Sequence, residues 1–193
     1  MSEGEMQMGI LFKPLSKVLW KQIDDEVHAC FQAGTERPTV AAVLYHIRSH
    51  KFLLITSTSG GLLNPGLVKG GVKKGESALC ALIREIRQEL RVRILEKHIK
   101  GYAGSFSVAS VHQKDGRSTK RYFVFLVAYG GPHKLNINGE LSGYFWYLLE
   151  EIPEVLGISQ EARPRKYEVL MQIFASPSLK KAKAKRKKKI TGR

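Results

Sequence analysis

The stretch Leu67 to Val92, LVKGGVKKGESALCALIREIRQELRV, decides how the rest of the chain is read. It opens on Gly70, Gly71 and Gly75 set among lysines and runs on into a charged segment with an apolar stripe. At 3.6 residues per turn, Leu79, Ile83, Ile86 and Leu90 share one side, which predicts a helix docked on a core. Glu85 and Glu89, four apart, lie beside that stripe. Two like charges at this spacing cost an isolated helix roughly a few tenths of a kcal/mol. A bound cation is one way to offset that, and an oxygen-rich site suits Mg²⁺ or Mn²⁺ rather than zinc. A surface helix with solvated charges is the other reading of the Glu pair taken alone. The glycines let the backbone turn tightly and approach a phosphate, with Lys69, Lys73 and Lys74 beside it.

The spacing of the fixed residues goes further. Gly70 precedes Glu76 by six positions, Glu76 precedes Arg84 by eight, and Arg84-Glu85-Ile86 leads into Gln88-Glu89. This closely resembles the box of the Nudix hydrolase family, G-x5-E-x7-R-E-U-x-E-E-x-G-U, where U is aliphatic. Gln88 stands in place of the first Glu of the EE pair and Arg91 in place of the last Gly. An amide oxygen can meet a cation but brings no charge and cannot act as a base, so one metal position is expected to bind more weakly than in a complete box. The missing glycine serves a backbone turn and is expected to cost about 1 kcal/mol if that turn stays left-handed.

Length and composition bound the rest. At 193 residues, 43% hydrophobic and 25% charged, the chain can bury a substantial core as one domain with extensions. Cys30 and Cys80 both fall on predicted amphipathic helices, so buried thiols in a reducing cytoplasm are expected rather than a disulfide. No apolar run reaches the roughly 20 residues that span a bilayer. Met6 to Phe12 is too short, and lacks the basic flank, for a signal peptide. A soluble cytoplasmic protein is expected, with no membrane partner. Lys180 to Arg193 holds nine basic residues and no acidic one, which leaves +6 of the formal net charge of +15 to the rest of the chain.

In chain order, Leu15, Val18, Leu19, Ile23, Val27 and Phe31 predict an N-terminal amphipathic helix over Pro14 to Phe31. Gly34 and Pro38 make Ala33 to Pro38 a linker. Thr39 to Ile47 and Lys51 to Thr56 read as strands joined by Arg48-Ser49-His50. Ser57 to Asn64 reads as a flexible approach to the glycines. After the helix, Ile99 to Val111 and Arg121 to Tyr129 are β-rich, with a hairpin turn at Lys114-Asp115-Gly116-Arg117. Tyr144 to Leu148 looks like a strand, Glu150 to Leu156 a short helix, and Pro164 to Phe174 a closing helix. This order predicts an α/β/α sandwich with a mixed β-sheet, divided into a helical extension and linker (1–38), a Nudix-like domain (39–176) and a basic tail (177–193).

The resemblance implies metal-dependent hydrolysis of a diphosphate linkage joined to another group X. It makes Glu85 and Glu89 metal ligands with Gln88 beside them, Arg84 the holder of a box carboxylate, and Glu76 the brace that opens the helix against Arg84. It gives Lys69, Gly70 and Gly71 contact with substrate and implies Mg²⁺ or Mn²⁺ as cofactor. The family often adds a carboxylate from outside the box. Glu140, on the loop before Tyr144-Phe145-Trp146, is the candidate as base or ligand, with plain loop acid as the other reading and Glu150 and Glu151 as weaker choices.

Six histidines, His28, His46, His50, His98, His112 and His133, show no metal-ligand spacing. Phe106, Tyr122, Phe123 and Phe125 lie along predicted strands as core, with one or two left to stack a nucleobase. Two functional classes follow. One is a pyrophosphohydrolase acting on a nucleotide, a dinucleoside polyphosphate or an RNA 5′ end. The other keeps the fold with weakened catalysis and binds nucleic acid or a ribosome. The tail cannot bury enough apolar surface to order itself and is expected to be disordered in isolation. It reads either as a solubilising extension or as a binder of RNA or DNA.

Overall fold

In the computed structural model, residues 15–58, 65–109, 119–157 and 168–170 are described. Strand β1, Glu36–His46, is the axis of the sheet. One side of it pairs in parallel with β6, Thr119–Tyr129, from Glu36↔Thr119 to His46↔Tyr129. Its other side is shared by two antiparallel partners, β4 (Val68–Gly71) against Thr39 to Ala42 and β2 (Lys51–Ser57) against Leu44 to His46. β3 (Pro65–Gly66) and β7 (Leu141–Tyr147) pair with β2, and β5 (Ile99–Ala109) closes the far edge on β6. One parallel pair among antiparallel neighbours makes the sheet mixed, and the chain between those two parallel strands carries helix α2, Ala78–Leu90.

From Pro38 to Leu44 the central strand buries nearly every residue rather than every second one. Both of its faces are therefore covered. On one face Val40, Ala42, Leu44, Phe123, Phe125 and Val127 pack under α1 (Lys17–Ala33) and α2. On the other, Ala41, Val43, Phe52, Leu54, Phe106 and Val124 pack with Ile152 of the short α3 (Ile152–Val155) and with Val169 and Leu170. Helices on both sides of a mixed sheet give the α/β/α sandwich predicted.

Several local expectations shift. The helical extension packs on the sheet: Trp20 of α1 stacks on Phe125 at 5.3 Å, and Leu19, Ile23, Val27 and Cys30 are buried. Val18, expected on the packed stripe, is 67% exposed because Trp20 takes the inward position. Gly34, left-handed at φ 68°, ends the helix, and β1 begins at Glu36 inside the expected linker, because parallel pairing with β6 reaches back that far. β7 likewise starts at Leu141, ahead of the expected Tyr144. The short helix near Glu150 is present as a 3₁₀ turn, Leu149–Glu151, running into α3. Residues 168–170 are helical. The turn at Lys114 to Arg117, most of the approach to the glycines, the rest of the closing helix and the basic tail lie outside the described residues.

Candidate active site

α2 is fixed at both ends before any chemistry is asked of it. Its first turn is capped twice: Ser77 Oγ accepts from Cys80 N–H at 3.2 Å, and Asp24 of α1 reaches across to accept from Ala78 N–H at 2.7 Å. These satisfy donors that a helix start leaves open, and they put a negative charge where the helix dipole favours one. At the other end Arg91 adopts the left-handed conformation, φ 56° and ψ 23°, and its N–H closes on Arg87 C=O at 3.1 Å. The turn that the box glycine would make is thus kept by a residue with a side chain. The buried stripe is Ala78, Ala81, Leu82, Ile86 and Leu90, with Leu79 and Ile83 at its margin, one residue round from the expected line. Cys80 consequently faces outward, exposed rather than buried.

Arg84 is the hub of one half of the site. Its Nε donates to Glu76 Oε1 at 2.7 Å and its Nη2 to Glu76 Oε2 at 2.8 Å, a two-pronged pair that fixes the plane of both groups. Nη2 also donates to Gly71 C=O at 2.9 Å, and Nη1 donates to Glu85 and, at 3.1 Å, to Gln88 Oε1. Glu76 Oε2 accepts a further bond from Lys73 N–H at 3.0 Å. The hydrogen bonds from Arg84 hold the Glu76 carboxyl below its usual range, and the same bonds keep Arg84 protonated.

Two of the glycines make room for side chains instead of forming a turn. Gly70 and Gly71 lie in strand β4, and a Cβ on Gly70 would fall 1.9 Å from Glu85 Cδ, while one on Gly71 would fall 3.1 Å from an Arg37 guanidinium nitrogen. Glu85 therefore rests directly against backbone. Of the three box glycines, Gly75 alone is left-handed, at φ 81°, and it makes the turn ahead of the helix.

Glu89 is the opposite case. It is largely buried, its Oε2 has no hydrogen-bond partner, and its pKa is pushed up to about 7. Loss of hydration is the main cause, the charge of Glu85 the second, and Glu140 adds to it, while the ammonium and backbone N–H of Lys69 pull the other way. Lys69 keeps surface in an open cavity, yet the protein around its ammonium displaces bulk water and lowers its pKa. Glu140 is brought to this corner by a residue the sequence did not flag. Asn138 N–H donates to the Glu89 carbonyl at 3.0 Å, and Asn138 Oδ1 accepts from Glu140 N–H at 3.1 Å. The Asn138-Gly139 pair before a strand is the turn signal that points to it. Asp24 offers no such signal, since it acts 54 residues away from the helix it caps.

The remaining candidates stand apart. Gln88 is exposed and turned toward Arg84. Glu151 closes its own 3₁₀ turn on Leu148 N–H. His46 is buried between Ser49 and the Gly131 carbonyl, packed on His133 and Trp146 at the far end of β1. Among the described residues no three His, Cys, Asp or Glu side chains form a ready-made metal cage. Glu89 nevertheless fits a divalent cation: an unpartnered oxygen, buried, beside a second carboxylate, is what such an ion would satisfy.

Residues 35–172 match the family model described as NUDIX domain. Nucleoside triphosphatase NudI of Escherichia coli O139:H28 is 32% identical over 85 residues, 43% of this chain and 60% of that protein, so the match spans less than two thirds of the relative's length. The Caenorhabditis elegans Ap4A hydrolase binary complex superposes with a TM-score of 0.55 at 17% identity, covering 72% of this chain and 96% of that one. The MutT protein from Methanosarcina mazei Go1 gives 0.55 at 18%, covering 72% and 92%. At such identities these structures show a shared fold. With the family match spanning most of the chain and the Arg84, Glu76 and Glu85 cluster assembled on its box helix, the chain belongs to the Nudix family.

Proposed function

We propose that the protein is a metal-dependent pyrophosphohydrolase that cleaves a phosphoanhydride bond in a nucleoside diphosphate derivative. The observation that carries this reading is Glu89, a buried carboxyl with an unpartnered oxygen beside Glu85. Phosphoanhydrides resist water because their anionic oxygens repel a nucleophile. A divalent cation, Mg²⁺ or Mn²⁺, would neutralise those oxygens and lower the pKa of a bound water. Glu85 and Glu89 would hold it. Gln88, held by Arg84 and uncharged, adds little to that grip. Arg84 keeps Glu85 in place against Gly70, and Glu76 keeps Arg84 in place. Glu140, exposed and within electrostatic reach of Glu89, takes the proton of the attacking water. The new oxygen–phosphorus bond forms as the bridging bond breaks, and the leaving phosphate departs as an anion.

Relatives named as a nucleoside triphosphatase and an Ap4A hydrolase support nucleoside triphosphates and dinucleoside polyphosphates as the first substrates to try, with triphosphorylated RNA as the third. A panel of these, assayed with Mg²⁺ and with Mn²⁺ for phosphate or monophosphate release, is the test. Metal-dependent release from at least one compound is expected. No release from any compound with either metal overturns the reading and favours a binding protein on a Nudix fold. The nine cations of Lys180 to Arg193 fit a polyanion-binding arm acting beside this chemistry. Truncation after Ser178 should then remove most low-salt RNA binding and leave hydrolysis of a small nucleotide nearly unchanged.

A further inference from the structure

β4 is a partition with a different chemistry on each side. Successive residues of a strand face opposite ways, and here Gly70, opposite Val40, gives its space to Glu85 on the α2 side. Lys69, opposite Ala41, faces the other side and enters a cavity of about 450 Å³. Its walls are Leu67, Val108 and Leu156 with the rings of Phe106 and Tyr122, which stack at 5.2 Å between centroids and 22° between planes. The floor is Ala41 and Gly66, and a Cβ on Gly66 would lie 3.2 Å from Lys69 Nζ, so the ammonium sits over that glycine. The Lys69 charge still acts on Glu89 across the strand. Lys69 joins the two sides: its backbone N–H meets the Glu89 carboxyl while its side chain lines the cavity, so the cavity adjoins the acids through a single residue.

The chemistry of the walls narrows the occupant. A slot with a stacked aromatic pair, aliphatic side chains and a mostly polar exposed lining takes a flat ring with polar edges, and its volume lies in the range of small-molecule sites. Among the described lining residues, Lys69 carries the one full charge and is a donor with no acceptor. A donor of this kind pairs with guanine through O6 and N7 together and with uracil through O4, whereas adenine sets an amine donor where guanine has O6 and leaves only ring nitrogens to accept.

We infer that this cavity is the nucleobase site and that Lys69 selects the bases with a keto oxygen where adenine carries its amine, guanine and uracil, over adenine. The inference rests on the function proposed above for the direction of the phosphates. The Phe106 and Tyr122 rings supply contact common to all bases, and Lys69 supplies the discrimination. Tyr122 belongs to the contact and not to the selection.

Titration of the full-length protein with GMP, UMP and AMP by NMR, without added metal, tests this independently of turnover. GMP and UMP should bind roughly tenfold or more tightly than AMP. Lys69→Met should erase that advantage, Lys69→Arg should retain it because the donors remain, and Tyr122→Leu should weaken all three nucleotides together. Equal affinity for the three, or an advantage that survives in Lys69→Met, overturns the inference. Base preference without hydrolysis of any triphosphate leaves the cavity assignment standing and sinks the proposed function. Hydrolysis without base preference does the reverse.

Discussion

Glu76 and Glu89 are acids of the same motif, thirteen residues apart, and the fold treats them in opposite ways. Glu76 has both carboxylate oxygens answered, by two prongs of Arg84 and by Lys73 N–H, and its carboxyl is held below the usual range. Glu89 lies in a corner where an oxygen is left over and its pKa is pushed up to about 7. A fully satisfied acid does structural work, whereas a buried acid with an open lone pair is an invitation to a ligand. The difference is made by neighbours, not by residue type.

The two acids should therefore respond to pH with opposite signs. Glu76, with its folded pKa lowered, contributes stability that is present above about pH 4.5 and fades as pH falls. Glu89, with its folded pKa raised from 4.5 to about 7, favours the folded state most below about pH 4.5 and weighs against it as pH rises toward 7. The largest effect tests the open corner. Glu89→Gln should lower hydrolysis about 10²-fold or more, as loss of a ligand and a charge together would, while leaving the midpoint of thermal unfolding at pH 8 unchanged or higher. A stability loss comparable to the activity loss would put Glu89 with Glu76 among the structural acids.

Arg84→Ala attacks the other corner. It strands the Glu76 and Glu85 carboxylates, which keep only a little contact with water. The cost in denaturant unfolding should be about 2–3 kcal/mol, somewhat below that of breaking a fully buried pair. Gly70→Ala separates position from stability: the new methyl would occupy the place of the Glu85 carboxylate, whose flexible side chain can swing away. Activity should fall at least about tenfold with about 1 kcal/mol or less of destabilisation, as a small displacement at a reacting site does. The smallest change is Arg91→Gly, which relieves the left-handed φ of 56° and should stabilise the protein by about 1 kcal/mol in the same experiment.

The box spacing made much of this legible beforehand. A run of Arg84, Glu85 and Glu89 on a predicted helix, with strands on either side, carried the fold and pointed to the candidate site. The resemblance pairs Glu76 with Arg84, but the sequence could not show that Glu89 keeps an open oxygen, because its surroundings come from Lys69, Asn138 and the loop bearing Glu140, segments distant from it along the chain. It also could not show that Gly70 and Gly71 make space for Glu85 and Arg37 rather than a turn, since glycine serves both purposes equally well. Nor could periodicity alone reveal that α1 belongs to the core, because the Trp20 to Phe125 stack and the Asp24 cap are contacts between elements far apart in the chain.

Carboxyl-selective NMR titration of Glu89, in protein without metal and again with Mg²⁺ added, addresses the central claim most directly. A side chain that titrates near pH 7 alone and moves to markedly lower pH when Mg²⁺ is present is the predicted result. A Glu89 that titrates near 4.5 and does not respond to Mg²⁺ would contradict it.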